Sequence, residues 1–297
     1  MNFLPVCAKI LLYDSEELPL KKRKKKKRRL RKLLFWAIVC LLLITVYNSS
    51  HKLAVSEYSV SGERLPAEFE GYKIVQLSDL HGADFGDGLY EKVRALEPDV
   101  IALTGDFITD ADDLEAAEKL INELATLTDV YYISGNHDYG SGEIEALAEI
   151  LDSSGVRFLR NEYEFLEKDG AHIIIAGVED PNSWAEMTQP DELAQNIADT
   201  CPDTFTVLLG HRNYWTKEYP SLPVDLILCG HTHGGIIRLP GVGGLLSTDR
   251  TLFPDCDAGA YFSGRYEMIV SRGLGNSIAI PRMFNLPEIV CVTLHAK

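Results

Sequence analysis

The sequence predicts an α/β sandwich with two sheets, preceded by one N-terminal transmembrane helix. Three observations predict it. From Lys73 to Leu151 apolar strands alternate with amphipathic helical segments. From Arg160 onward the apolar runs are mostly strand-like, with one helical segment near Asp191–Asp199. Ahead of both lies a dense basic run followed by an uncharged apolar stretch.

Between Lys21 and Lys32 only Leu30 is not basic. Leu33 to Tyr47 then contains no charged residue, and Thr45 is its one clearly polar member. That stretch is shorter than the roughly 18–20 residues of a spanning helix. Arg31 and Lys32 can snorkel, however, and Tyr47 and Asn48 suit the far interface. A soluble core helix would set this basic run against a buried segment. A cleaved signal peptide needs a small-residue cleavage motif, and none follows Tyr47. The expected organisation is a basic cytoplasmic tail over 1–32, a signal anchor over 33–50, a lead-in and linker over 51–71, and one domain over 72–297. The positive-inside rule places residues from about Asn48 onward outside the cytoplasm.

Within the domain the elements follow in order. Lys52 to Ser61 reads as an extended lead-in and Glu63 to Glu70 as a Pro-containing linker. Lys73–Leu77, Val100–Leu103 and Val130–Ile133 are predicted strands. Helices follow them, with Leu89, Val93 and Leu96 on one face, then Leu114, Ala117, Leu120, Ile121, Leu124 and Leu127, then Ile144, Leu147, Ala148 and Leu151. Arg160–Lys168 and His172–Val178 form an antiparallel pair about the turn Asp169-Gly170. Phe205–Leu209, Val224–Leu228, Ile236–Leu239, Glu267–Val270 and Glu288–Leu294 complete the strands.

The overall formal charge of −15 conceals an asymmetry. Residues 1–52 carry 13 Lys/Arg against Asp14, Glu16 and Glu17, a net of +10, which leaves −25 for the remainder. A body that acidic repels polyanions, so nucleic acid is not an expected partner and a nuclease would lack its basic channel. The six cysteines show no paired spacing, and Cys229 and Cys291 lie in apolar runs as buried thiols.

Five segments carry the chemistry: Ser78-Asp-Leu-His81, Thr104-Gly-Asp-Phe107, Ser134-Gly-Asn-His-Asp138, Gly210-His211 and Cys229-Gly-His-Thr-His-Gly234. Each falls just past the carboxyl end of an apolar strand, where open α/β folds build their sites. In extended backbone residues i and i+2 point the same way, so Asp79 with His81, and His231 with His233, are expected to converge. Carboxylate, imidazole and amide oxygen suit divalent ions such as Mn, Fe or Zn. Glycines before Asp106, Asn136, His211 and His231 permit sharp exits from strands.

This order of motifs resembles the calcineurin-like metallophosphoesterase superfamily, with its D-x-H, G-D, G-N-H-[DE], G-H and G-H-x-H signatures, from about Tyr72 to the C-terminus. The resemblance implies an αββα sandwich and two divalent metal ions. It assigns Asp79, His81 and His233 to one metal and Asn136, His211 and His231 to the other, with Asp106 bridging. His137 would be the acid near the leaving group and Asp138 would orient its ring. The implied reaction is phosphoester hydrolysis by a water that the two ions activate, with in-line displacement. Charge balance favours a diester: two divalent ions, two carboxylates and a hydroxide are neutralised by a singly charged diester, whereas a monoester dianion overshoots by about one unit.

Departures narrow the reading. Gly105-Asp-Phe-Ile-Thr-Asp110 lacks the G-D-x-x-D-R-G continuation of the protein phosphatases, and Asp106 is not followed by the tyrosine of the purple acid phosphatases. Ser78-Asp-Leu-His-Gly82, Gly230-His-Thr-His-Gly-Gly-Ile-Ile-Arg-Leu-Pro240 and Val270-Ser-Arg-Gly-Leu-Gly275 look like the membrane-anchored bacterial phosphodiesterases of the superfamily. A small phosphoester, lipid- or sugar-linked, in the cell envelope is the substrate that likeness implies. A non-catalytic metal-binding scaffold and a phosphomonoesterase are the alternatives. Arg272 is a candidate phosphate contact or a structural ion pair, and Trp184 a candidate cleft residue.

Overall fold

The computed structural model describes residues 20–183, 190–248 and 250–297, so Trp184 lies outside the described residues. The chain divides into two units, the second being Thr45–Lys297. Helix α1 (Leu20–His51) runs without a break through the basic run and the apolar stretch. Lys and Arg are good helix formers, so nothing at Lys32 interrupts propagation. Its segment Lys24–Ser49 is long and apolar enough to cross a membrane. The side chains from Leu33 to Ile38 are largely exposed.

The second unit is a four-layer sandwich. Strands β1 (Ala54–Gly62), β2 (Lys73–Leu77), β3 (Val100–Thr104), β4 (Val130–Ile133) and β5 (Arg157–Phe158) belong to one sheet with the C-terminal strand. Helices α2 (Asp87–Ala95), α3 (Leu114–Ala125), α4 (Asn136–Gly140) and α5 (Ile144–Ser153) are interleaved with them. The other sheet contains β6 (Glu162–Lys168), β7 (Ala171–Val178), β8 (Thr206–Gly210) and β9 (Leu226–Cys229), with helices α6 (Pro190–Thr200) and α7 (Trp215–Glu218) between them. A two-residue pair, β10 (Arg238–Leu239) and β11 (Gly243–Gly244), precedes β12 (Gly259–Phe262), β13 (Glu267–Val270) and β14 (Glu288–Ala296). Strand order is β1-β14-β2-β3-β4-β5 in the first sheet and β12-β13-β9-β8-β7-β6 in the second.

Period-two alternation sorts side chains between layers. Ile74, Val100, Ala102 and Ile133 face Ile173, Ile175, Val207 and Leu228 across the gap between the sheets. Val75, Ile101 and Leu103 point the opposite way, against Leu89, Val93, Leu120 and Leu147 of the helices. On the second sheet Ile174, Ala176 and Leu208 meet Leu193 and Ile197 of α6. Strands buried on both faces read as unbroken apolar runs, which is why their positions were visible in sequence. Cys229 and Cys291 are buried free thiols. Gln76 and Thr104 bring polar groups into the inter-sheet layer. The Gln76 amide donates to Thr104 Oγ1 and to the Cys229 carbonyl, both at 2.9 Å, tying the two sheets together beneath the loops that carry the motifs.

The expected lead-in is an integral strand. β1 pairs in parallel with β14 over its whole length, from Ala54 opposite Glu288 to Gly62 opposite Ala296. β14 runs antiparallel to β2, so the start of β1 lies at the carboxyl end of β2.

Candidate metal centre

Asp79, Asp106, Asn136, His211 and His231 stand one to three residues beyond β2, β3, β4, β8 and β9. The local backbone is not extended. Asp79, His81, Asp106, His231 and His233 all have φ between 47° and 71°, a region where Asp and His are enriched among non-glycine residues. The expected i, i+2 convergence therefore fails as a cause. Sharp left-handed turns direct these side chains, and His231 and His233 diverge into two neighbouring groups.

In the first group, His233 Nε2 lies 3.3 Å from Asp79 Oδ1 and 3.1 Å from His81 Nε2. In the second, His211 Nε2 lies 3.1 Å from Asp106 Oδ2 and 3.3 Å from His231 Nδ1. Asp106 Oδ2 is also 3.7 Å from His81 Nε2, so this one oxygen stands between the groups. Within each triad one ligand-type atom per residue lies within 4.8 Å of the others. The rings are held from behind. His211 Nδ1 meets the Thr104 carbonyl at 2.8 Å and His81 Nδ1 meets Thr109 Oγ1 at 2.9 Å, which directs Nε2 of each inward.

Burial sets the charge states. Desolvation alone would raise the Asp79 and Asp106 carboxyls, but the facing imidazoles reverse this and hold both below the usual carboxylate range. Burial beside His233 lowers His81 to about 3, and burial beside His211 lowers His231 to about 4. His211 goes the other way, to about 10, because Asp106 outweighs its burial.

Asn136 Oδ1 is buried and has no hydrogen-bond partner among the described residues. An amide oxygen left that way is costly unless a cation accepts it. With carboxylates, an unpartnered amide oxygen and ring nitrogens that face one another, the donor set fits a pair of divalent ions.

Residues 72–235 match the calcineurin-like phosphoesterase family. The chain belongs to this family. A metallophosphoesterase of Aquifex aeolicus is 30% identical over 272 residues, covering 88% of this chain and 98% of its own. Phosphodiesterase YaeI of Escherichia coli is 28% identical over 235 residues, covering 75% of this chain and 82% of its own. A transmembrane protein with a metallophosphoesterase domain from Bos taurus is 32% identical over 213 residues, 66% of this chain and 48% of that one. The calcineurin-like phosphoesterase family implies divalent metal ions, and the chain offers two groups of residues to hold them.

Among the described residues no hydrogen bond joins Asp138 to the His137 ring. The buried Asp138 carboxylate accepts the backbone N–H groups of Asp106, Phe107, Ile108 and Gly135 at 2.7–3.2 Å, and the Tyr132 hydroxyl at 2.8 Å. Burial and the nearby Asp106 carboxylate nevertheless raise it to about 6. Asp138 thus anchors the loop that presents Asp106. His137 is tied to the same loop by its own backbone, whose N–H donates to Asp106 Oδ1 at 2.7 Å. Its ring stands edge-on to His81, centroids 4.9 Å apart.

Arg272 is a structural ion pair, its guanidinium 2.8 Å from Glu288. Thr104, Thr109 and Tyr132 were not singled out in the sequence. They act through a carbonyl, a hydroxyl on a loop and a strand phenol, none of which leaves a motif. Asp110 caps the turn after the Asp106 loop by accepting the Asp112 N–H at 3.0 Å.

Proposed function

We propose that this chain is a membrane-anchored, two-metal phosphodiesterase whose domain lies outside the cytoplasm. Asp79, His81 and His233 would hold one ion and Asn136, His211 and His231 the other, with Asp106 shared. The observation that carries this reading is Asp106 Oδ2, 3.1 Å from one group and 3.7 Å from the other. Two divalent ions bound there would supply Lewis-acid charge to phosphoryl oxygens and lower the pKa of water. The chain's own part is to fix their carboxylate bridge. The His137 N–H and the Asp138-anchored loop hold Asp106 from two sides. The His137 imidazole then delivers a proton to the departing alkoxide.

Preference for diesters is supported by the nearby arginines. Arg212 is paired with Asp180 at 2.7 Å, Arg238 with Asp257 at 3.0 Å and Arg272 with Glu288 at 2.8 Å. Arg282 is buried and donates to the Gly273 and Arg272 carbonyls. None of them supplies unpaired positive charge for a second phosphoryl anion. The relative from Escherichia coli that carries the name phosphodiesterase supports the same preference. The basic run ahead of the apolar segment of α1 supports a cytoplasmic N-terminus. The test is hydrolysis by the detergent-solubilised full chain, reconstituted with Mn or Zn, of matched aryl phosphodiesters and monoesters. Faster diester hydrolysis that EDTA abolishes is expected. A monoester preference would replace the diester reading.

A further inference from the structure

We propose that the loops flanking the metal centre form an apolar lip that inserts into the surface of a phospholipid bilayer, so that the site meets lipid-borne phosphoesters. This deepens, and rests on, the membrane-anchored reading above.

Outside α1, nine large apolar side chains are exposed among the described residues. Six of them sit on three adjoining loops: Leu239, Val242, Leu252, Phe253, Ile280 and Phe284. Val242, Leu252 and Phe253 are 62%, 64% and 58% exposed. Backbone hydrogen bonds join the loops. Arg238 N–H donates to the Met283 carbonyl at 3.0 Å, Leu245 to Ile237 at 2.7 Å and Phe253 to Leu245 at 3.0 Å. The Asn285 amide donates to the carbonyl of His233 at 2.7 Å, so the lip borders the metal centre directly. Exposed apolar side chains gathered in this way mark an interaction surface.

Three observations select a bilayer as the partner. First, α1 ends at His51 and β1 starts at Ala54, whose N–H donates to the Pro287 carbonyl at 2.8 Å. A chain tethered by the apolar segment of α1 therefore enters this unit beside the loop carrying Ile280 and Phe284. Second, that entry lies at the carboxyl end of β2, the end that bears Asp79. Third, the lip is close to neutral. Arg238 is paired with Asp257, Arg282 is buried, and the exposed Arg250 stands in sequence between Asp249 and Asp255, within a region whose net charge is −25. The remainder of the surface would be repelled from anionic lipid, while the lip would not.

The test places an environment-sensitive fluorescent amino acid at single positions of the full chain, reconstituted in vesicles of phosphatidylcholine and phosphatidylglycerol. A lipid carrying a quencher on its acyl chain is added to half of the samples. Probes at Phe253 and Ile280 are expected to shift to the blue and to lose intensity with quencher lipid. A probe at Phe262, exposed at the opposite end of β12, is expected to do neither. A probe at Ile38 reports α1. If Ile38 is quenched while Phe253 and Ile280 behave like Phe262, the lip is overturned and the anchor stands. If Ile38 is not quenched, the anchored reading fails and the lip with it. A blue shift at Phe253 without quenching means that protein covers the lip, which also overturns the proposal.

Discussion

Asp138 and Asp106 are both buried carboxylates, and the first holds the backbone of the second: Asp138 Oδ2 accepts the Asp106 N–H at 2.8 Å. Three further backbone donors and a phenol converge on Asp138. A carboxylate with this many donors fixes a loop more firmly than a neutral side chain can. The position of Asp106, and with it the bridging role proposed for it, thus depends on a residue outside both groups of candidate ligands.

Asp138→Asn retains the shape but replaces one acceptor oxygen with an amide NH2 group facing N–H or O–H donors. Stability should fall by about 1–3 kcal/mol, the cost of leaving buried donors unsatisfied. Thermal unfolding of the full chain in detergent measures it. The rate should fall for good and poor leaving groups alike. If poor leaving groups suffered selectively, Asp138 would after all be acting through His137.

His137→Gln should show the selectivity that Asp138→Asn lacks. An alkyl leaving group needs a proton, so its hydrolysis should slow by about 10²–10⁴-fold. A nitrophenolate leaves without help and should be nearly unaffected. Comparing kcat for the two diesters decides, and an equal loss on both would remove the acid role.

Gly135→Ala tests the crowding around Asp106. A Cβ at Gly135 would overlap the Asp106 carboxylate and crowd its backbone nitrogen. The variant should bind less metal and lose activity in parallel, while circular dichroism still reports a folded α/β chain. Full metal content with normal activity would show that the loop tolerates displacement.

Gln76→Leu removes the donor that links Thr104 to Cys229 across the sheets. The Thr104 hydroxyl loses this donor, while the Cys229 carbonyl keeps the Ser271 N–H at 2.8 Å, so a loss of about 1 kcal/mol is expected in denaturant unfolding. An unchanged midpoint would mean that water or a local shift replaces the amide.

The interior of the sandwich was legible because β2, β3, β4, β8 and β9 are buried on both faces, each leading into a polar motif. Edge strands were less so. β1 exposes Val55, Glu57 and Ser59 in alternation, and its place in the sheet depends on β14, more than 200 residues away. The ligand set was visible as residue types after strands, but its geometry was not. Left-handed turns at Asp79, His81 and Asp106, in place of extended backbone, leave no periodic trace. The role of Asp138 was hidden for a related reason, since most of its partners are backbone N–H groups of a loop about thirty residues earlier.

The shared carboxylate is tested most directly by metal content and turnover on the same samples of purified full chain. The wild type should bind two equivalents of Mn or Zn per chain and hydrolyse an aryl phosphodiester, with EDTA abolishing the activity and added metal restoring it. Asp106→Ala should lose both the activity and the paired stoichiometry. Phosphodiester hydrolysis that survives EDTA, or an Asp106→Ala chain that keeps both metals and its rate, would contradict the account.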